Sequence, residues 1–288
     1  MEHFTTTKFK DIAEREVNFI RAQYDTRGIP IAKNCRYGKY FDLVEKLANS
    51  SSKEALQYIL DDKGMGFIVT SLKDVAELYG VVQAFKNDLD DVYCHKLAEV
   101  IKGNEISDES ETKTQPRDIL WELNLGAHFK VAGFDTKLAE PDIVVKNNIG
   151  EIYIACKRPN SIKSLEKTIK GARRQIIKRG HGLLALSIDK LINPTFGILQ
   201  GENMQEISGK IDRLLQDFIG KYSNDINGWI KDRKVFGAIY SVALIADDQN
   251  KNIFTICQKL YFTNLCPPAS PYFSLIRSIG EAFKPISS

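Results

Sequence analysis

The sequence predicts an α/β domain preceded by a helical region, and three observations carry that reading. Through residue 102, apolar residues recur at helical spacing. Residues 103–116, GNEISDESETKTQP, are polar, acidic and free of aromatics, which suits an exposed linker. From 117 to 288, helix-period segments alternate with short runs that read as strands, the pattern of helices covering a mixed sheet.

Each element follows from its own residues. Ala13, Val17, Ile20 and Tyr24 form one helical stripe, and Tyr40, Val44 and Leu47 another. SSSKEALQYILDD opens on serines fit to cap a new helix. Val75, Leu78, Val82, Phe85, Leu89 and Val92 are spaced 3, 4, 3, 4, 3, a heptad-type seam. It suits either a packed hairpin within the monomer or a homodimer contact. Pro116 belongs in the first turn of the next helix. That helix, RDILWELNLGAH, is expected to end at Gly126, with FKVAGF as a short strand after it. DIVV (142–145) and EIYIACK (151–157) read as paired strands, and SIKSLEKTIKGARRQIIKRG as a helix stopped by Gly180. GLLALSI reads as a buried strand. A helix over 204–222, strands over 235–246 and 253–262, and a helix over 272–283 complete the chain.

Composition narrows the function classes. A net charge of +3 means that any basic surface is local. The five cysteines are odd in number and lack CxxC spacing, which points to free thiols in a reducing compartment. The four histidines are scattered, with no metal-binding spacing. The N-terminus is charged, and no apolar run is long enough to cross a membrane. A soluble, cytoplasmic protein without membrane contact is expected.

The chemistry concentrates in EPDIVVKNNIGEIYIACKRP, residues 140–159. By the period of two, Ile152, Ile154 and Cys156 point to one face of their strand, expected to be core. Glu151, Tyr153, Ala155 and Lys157 point to the other, expected to be functional or solvated. If the two strands pair, Asp142 converges with positions 155 and 157. A carboxylate beside a lysine, with a further acid, is what metal-assisted phosphodiester hydrolysis needs. Mg²⁺ prefers carboxylate oxygens, lowers the pKa of a bound water and offsets phosphoryl charge. The bland readings are turn chemistry for Asp142 and an ordinary exposed acid for Glu122.

This stretch resembles the core motif of the PD-(D/E)XK nucleases, the restriction-endonuclease-like superfamily. Pro141 and Asp142 match its first half, Cys156 and Lys157 the end of its second, and Glu122 its upstream helix acid. The likeness covers about residues 117–190. It implies a restriction-endonuclease-like mixed sheet flanked by helices, and a Mg²⁺- or Mn²⁺-dependent endonuclease with DNA as the favoured substrate. It further implies that Asp142, Glu122 and the Cys156 carbonyl hold the metal, that Lys157 positions the water, and that Gln175 faces the site from the following helix. A role in antiviral defence or restriction is an analogy from the fold.

The departure is Ala155, where the family has Asp or Glu. Three accounts stand open: an engineered Glu-to-Ala change, which the otherwise intact motif favours; a natural non-catalytic relative; or an acid supplied from elsewhere, Glu166 being the nearest candidate. Glu151 is too far, ~13 Å along the strand. On each account except the last, the chain is inactive as it stands, and the alternative function is non-catalytic nucleic-acid binding or assembly.

The helix over 162–179 adds a second signal. Leu165, Ile169, Ala172 and Ile176 fall in one apolar stripe, and Lys163, Lys167, Lys170, Arg174 and Lys178 on nearly the opposite side. With Lys157 and Arg158 just upstream, this ridge can track a phosphate backbone. Taken alone, it is a solvated helix face. Trp121 and Tyr153 are capable of base stacking, although packing roles are favoured for both.

Overall fold

The computed structural model describes residues 6–50, 53–105, 115–146, 148, 150–194, 197–251 and 253–283. Most of the expected linker, 106–114, lies outside the described residues. The chain forms two compact units, Met1–Ala127 with Asp247–Thr255, and His128–Ala246 with Ile256–Ser288.

The first unit is helical. α1 (Thr6–Asp11), a π-helical turn (Ile12–Val17) and α2 (Asn18–Thr26) run in succession. α3 (Arg36–Ala48), α4 (Lys53–Lys63), α5 (Met65–Ala84), α6 (Asp91–Val100) and the start of α7 (Gln115–Val131) follow. Its core includes Ile20, Tyr24, Tyr37, Tyr40, Phe41, Leu47, Leu78, Val82, Phe85 and Leu97. A buried ionic group lies within it. Asp74 Oδ2 sits 3.6 Å from Arg36 and 3.4 Å from Arg117, all three nearly inaccessible to solvent.

The heptad seam is not one continuous helix. α5 ends at Ala84, and α6 starts afresh with Asp90 accepting the Tyr93 N–H at 2.9 Å. Val75, Leu78, Val82 and Phe85 are buried, but Leu89 and Val92 are exposed. The turn-forming KNDLDD supplies a cap, which outcompetes continued helix. α7 also departs from expectation. It runs through Gly126 because Leu125, Ala127 and Phe129 continue the buried pattern, so FKVAGF is helix end and turn rather than strand. One internal glycine costs a helix only about 1 kcal/mol.

The second unit is built on a seven-stranded mixed sheet in the order β1-β2-β3-β4-β6-β5, with β7 pairing on β6. The strands are β1 (Asp135–Leu138), β2 (Ile143–Lys146), β3 (Glu151–Lys157), β4 (Gly182–Ser187), β5 (Leu199–Gly201), β6 (Val235–Asp248) and β7 (Ile253–Asn264). The helices are α8 (Ile162–Arg179), α9 (Asp189–Ile192), α10 (Met204–Ile230) and α11 (Phe273–Ala282). β1, β2 and β3 are antiparallel neighbours, and β3, β4 and β6 are parallel.

Local chemistry fixes the elements that carry the site. Ser161 caps α8 by accepting the Ser164 N–H at 3.3 Å, and Gly180 ends it at φ 156°. Leu165, Ile169, Ala172 and Ile176 are all buried, in one cluster with Ala155, Leu184 and Leu186. Burying the three larger side chains contributes roughly 2 kcal/mol each. α10 runs to Ile230, eight residues beyond the expected 222. Its start is capped by Asn203, which takes the Glu206 N–H, while Glu206 takes the N–H of Glu202 just before the cap. Between β4 and β6, Gly182/Leu184 face Val235/Ala238, so β6 bulges by one residue. Gly237 sits in that bulge at φ 149°, where any Cβ would meet the Thr263 carbonyl at 1.9 Å. All five cysteines are free. No helix among the described residues is long and apolar enough to cross a membrane.

Candidate active site and nucleic-acid interface

The β2–β3 register brings the motif residues together. β2 pairs with β3 from Ile143, which opposes Ile154, and Asp142 stands one residue before that register begins. Ala155 and Lys157 share one face of β3 by the period of two. Asp142 is buried. Its Oδ2 accepts the Cys156 N–H at 2.6 Å and lies 3.3 Å from Lys157 Nζ. Lys157 keeps its side chain 23% exposed, so its ammonium is reachable from solvent while its stem is covered.

The face expected to be solvated is covered instead at its centre. Ala155 is fully buried among Leu165, Ile169 and Leu184. Both faces of β3 are therefore core at that point, and only Glu151, Tyr153 and Lys157 reach the surface. The cause is tertiary: α8 folds back over β3 and presses its apolar stripe onto positions 155 and 184.

The remaining candidates fall into three groups. Glu122 belongs to the helical unit, where it pairs with Lys96 on α6. Trp121, its neighbour, is buried. Gln175 is exposed on α8, on the flank between the apolar stripe and the basic ridge. Lys163, Lys167, Lys170, Arg174 and Lys178 are all exposed along α8, and Arg158 is partly buried at the end of β3. Glu166 makes an ion pair with Lys170 one turn away, as an acid on the flank of such a ridge does.

The Mg²⁺ or Mn²⁺ expected from the resemblance does not fit the residues as they stand. Position 155 offers a methyl group. One oxygen of Asp142 is committed to an amide N–H and an ammonium, two donors that compete with a cation. Among the described residues, no group of three or more His, Cys, Asp or Glu side chains could hold a metal. The arrangement does offer an anchored lysine at the head of a row of exposed cations, which suits phosphate binding.

Sequence reasoning missed the clamp from the Cys156 amide to Asp142. A backbone donor has no residue signature, so only the strand register reveals it. Compared with family models, curated proteins and solved structures, the chain has no significant match.

Proposed function

We propose that this protein binds nucleic acid, DNA in the first instance, on a metal-dependent endonuclease scaffold whose hydrolytic centre lacks one carboxylate, at Ala155. The observation that carries the reading is the Asp142 carboxylate held on the Cys156 N–H and Lys157 Nζ, the two residues that follow Ala155. A nuclease-type centre has an acid at positions 142 and 155 and a lysine at 157. Here the lysine and one acid neutralise each other, and the methyl group supplies no oxygen. Binding remains, because the cationic ridge of α8 is exposed and independent of the missing ligand.

The non-catalytic reading has its own support in the burial of Ala155 among apolar side chains, which suits a methyl group better than a solvated acid. On either reading the chain as it stands binds without cutting. The test is a fluorescence-anisotropy titration of the full chain against labelled DNA from 50 to 200 mM salt, with a plasmid cleavage assay in Mg²⁺ and Mn²⁺ alongside. The expected outcome is binding that weakens log-linearly with salt, and no cleavage. Absence of salt-sensitive binding rejects the nucleic-acid reading. Cleavage at an ordinary enzymatic rate rejects the role given to Ala155.

A further inference from the structure

The cationic surface does not end with α8. β4 and β6 run parallel, with Val235 opposite Gly182, so α8 and α10, which lead into them, finish at the same end of the sheet. Backbone joins their two C-terminal connections there: the Gly182 N–H donates to the Lys234 carbonyl at 2.8 Å. The connection from α10 to β6 reads KDRK, residues 231–234. It brings three further cations, Lys231, Arg233 and Lys234, all of them exposed.

Two contacts fix which side of α8 this loop takes. Asp232 Oδ2 pairs with Arg173 at 3.2 Å, and Lys234 Nζ lies 3.4 Å from the Ile177 carbonyl in the last turn. At 3.6 residues per turn, Arg173 stands about 60° from Lys170 around the helix and about 70° from the centre of the apolar stripe. Ile177 stands about 20° from Lys170 and about 60° from Arg174. The loop therefore lies along the flank that adjoins the exposed ridge, and not on the side pressed to the sheet. Ridge and loop form one surface at the C-terminal half of α8.

The loop's own acid is already committed. Asp232 Oδ1 accepts the Lys234 N–H at 2.9 Å, and Oδ2 holds Arg173. That amide first, and then Arg173, keep its carboxyl below the usual carboxylate range. Asp232 thus fastens the loop to α8 as a neutral pair with Arg173. Lys170, Arg174, Lys178, Lys231, Arg233 and Lys234 remain around it, and Glu166, paired with Lys170, offsets only one of them. Like charges gathered in this way repel one another in the free protein, and a polyanion relieves that repulsion. Resting on the nucleic-acid reading above, we infer that the 231–234 loop is a second limb of the nucleic-acid interface. One stretch of phosphate backbone lies along α8, and another is held by Lys231, Arg233 and Lys234 in the same complex.

The experiment uses the full chain and the labelled DNA of the salt titration. Lys231→Glu, Arg233→Glu and Lys234→Glu together are expected to weaken binding at least tenfold and to lower the salt slope by about 2–3. Added to Lys167→Glu, Lys170→Glu and Arg174→Glu on α8, they are expected to lower the slope by about 4–5 in all, because both limbs are engaged at once. A control removes the same net charge elsewhere, with Lys33→Glu, Lys86→Glu and Lys137→Glu, all at exposed positions, and is expected to change the slope little. Wild-type affinity and slope in the loop variant, or an equal loss in the control, overturns the inference and leaves the nucleic-acid reading to the α8 variants. Absence of salt-sensitive binding by wild type overturns both. Thermal melts separate loss of contact from loss of fold. Should the loop variant not fold, Lys231→Ala with Arg233→Ala decides in its place, with an expected fall in slope of about 1–2.

Discussion

Lys157 Nζ lies 3.3 Å from Asp142 Oδ2, the same oxygen that accepts the Cys156 N–H at 2.6 Å. One carboxylate oxygen thus joins a side-chain cation to a neighbouring strand's backbone. In a solvated active site such an acid would be dispensable for folding. Here it ties the start of β2 to the end of β3.

Asp142→Ala should therefore destabilise the protein itself. It removes a buried charged acceptor from an amide and leaves the Lys157 ammonium without that partner, at a cost of about 2–3 kcal/mol. Lys157→Met, which keeps the apolar stem, should cost about 1 kcal/mol or less, since the lysine head is partly solvated. Urea unfolding followed by circular dichroism measures both. A smaller effect for Asp142→Ala than for Lys157→Met would show that the clamp carries no stability.

Ala155→Glu tests the missing ligand directly. The new carboxylate enters a fully buried, apolar position, so in EDTA the variant should be less stable than wild type by about 3 kcal/mol or more. Mn²⁺ or Mg²⁺ should raise its melting temperature and leave wild type unmoved, because a cation stabilises only the state that binds it. The same additions should bring out cleavage of plasmid DNA. A folded variant whose melting is indifferent to metal would remove position 155 from any metal site.

Reversing charge along the ridge should separate binding from stability. Lys167→Glu, Lys170→Glu and Arg174→Glu together should weaken DNA binding at least tenfold and reduce its salt slope by about 2–3, as three fewer counterions are released. The melting temperature should change little, since all three side chains are exposed. Unchanged affinity at low salt would mark the ridge as a solvated face.

His128 gives a pH signature. Its Nε2 lies 3.2 Å from Gln258 Oε1, and burial pushes its pKa below the ordinary histidine value, with the Gln258 contact opposing only in part. The unfolded chain therefore takes up this proton more readily than the folded one. The neutral form's contribution to stability is full above about pH 6.5 and falls as pH drops below it, by at most about 1.4 kcal/mol per unit. Comparing wild type with His128→Gln between pH 7.5 and 5 isolates it. An identical pH dependence in the two proteins would rule the histidine out.

How far the sequence could be read depended on where each signal lay. β3 and α8 match the expected 151–157 and 162–179, because a period of two, a serine cap and a glycine stop are local signals. β1 was misplaced: DTKL is a short edge strand with no apolar alternation to announce it. The helix through Gly126 and the break before Asp90 went the other way from expectation, each decided by packing or capping that outweighed a single-residue cue. Asp142, Ala155 and Lys157 were legible as a group because they sit on two strands close in sequence. The burial of Ala155 was not, since the covering helix declares its orientation only in three dimensions. The Arg36–Asp74–Arg117 group joins residues from three helices and has no sequence pattern at all.

The parallel pairing of β3 with β4 through α8 has a kinetic consequence. From Ile143 to Ser187 the chain needs only neighbours within 45 residues to close its strand pairs and bury the α8 stripe. Loop closure on that scale costs little entropy, while β6 must await a contact more than 50 residues downstream. The β2–α8–β4 segment is thus the natural early foldon of its unit. In pulse-labelled hydrogen exchange, the amides of Ile154 and Leu184 should gain protection before those of Ile239 and Tyr240, and simultaneous protection of all four would assign the nucleus to the whole sheet.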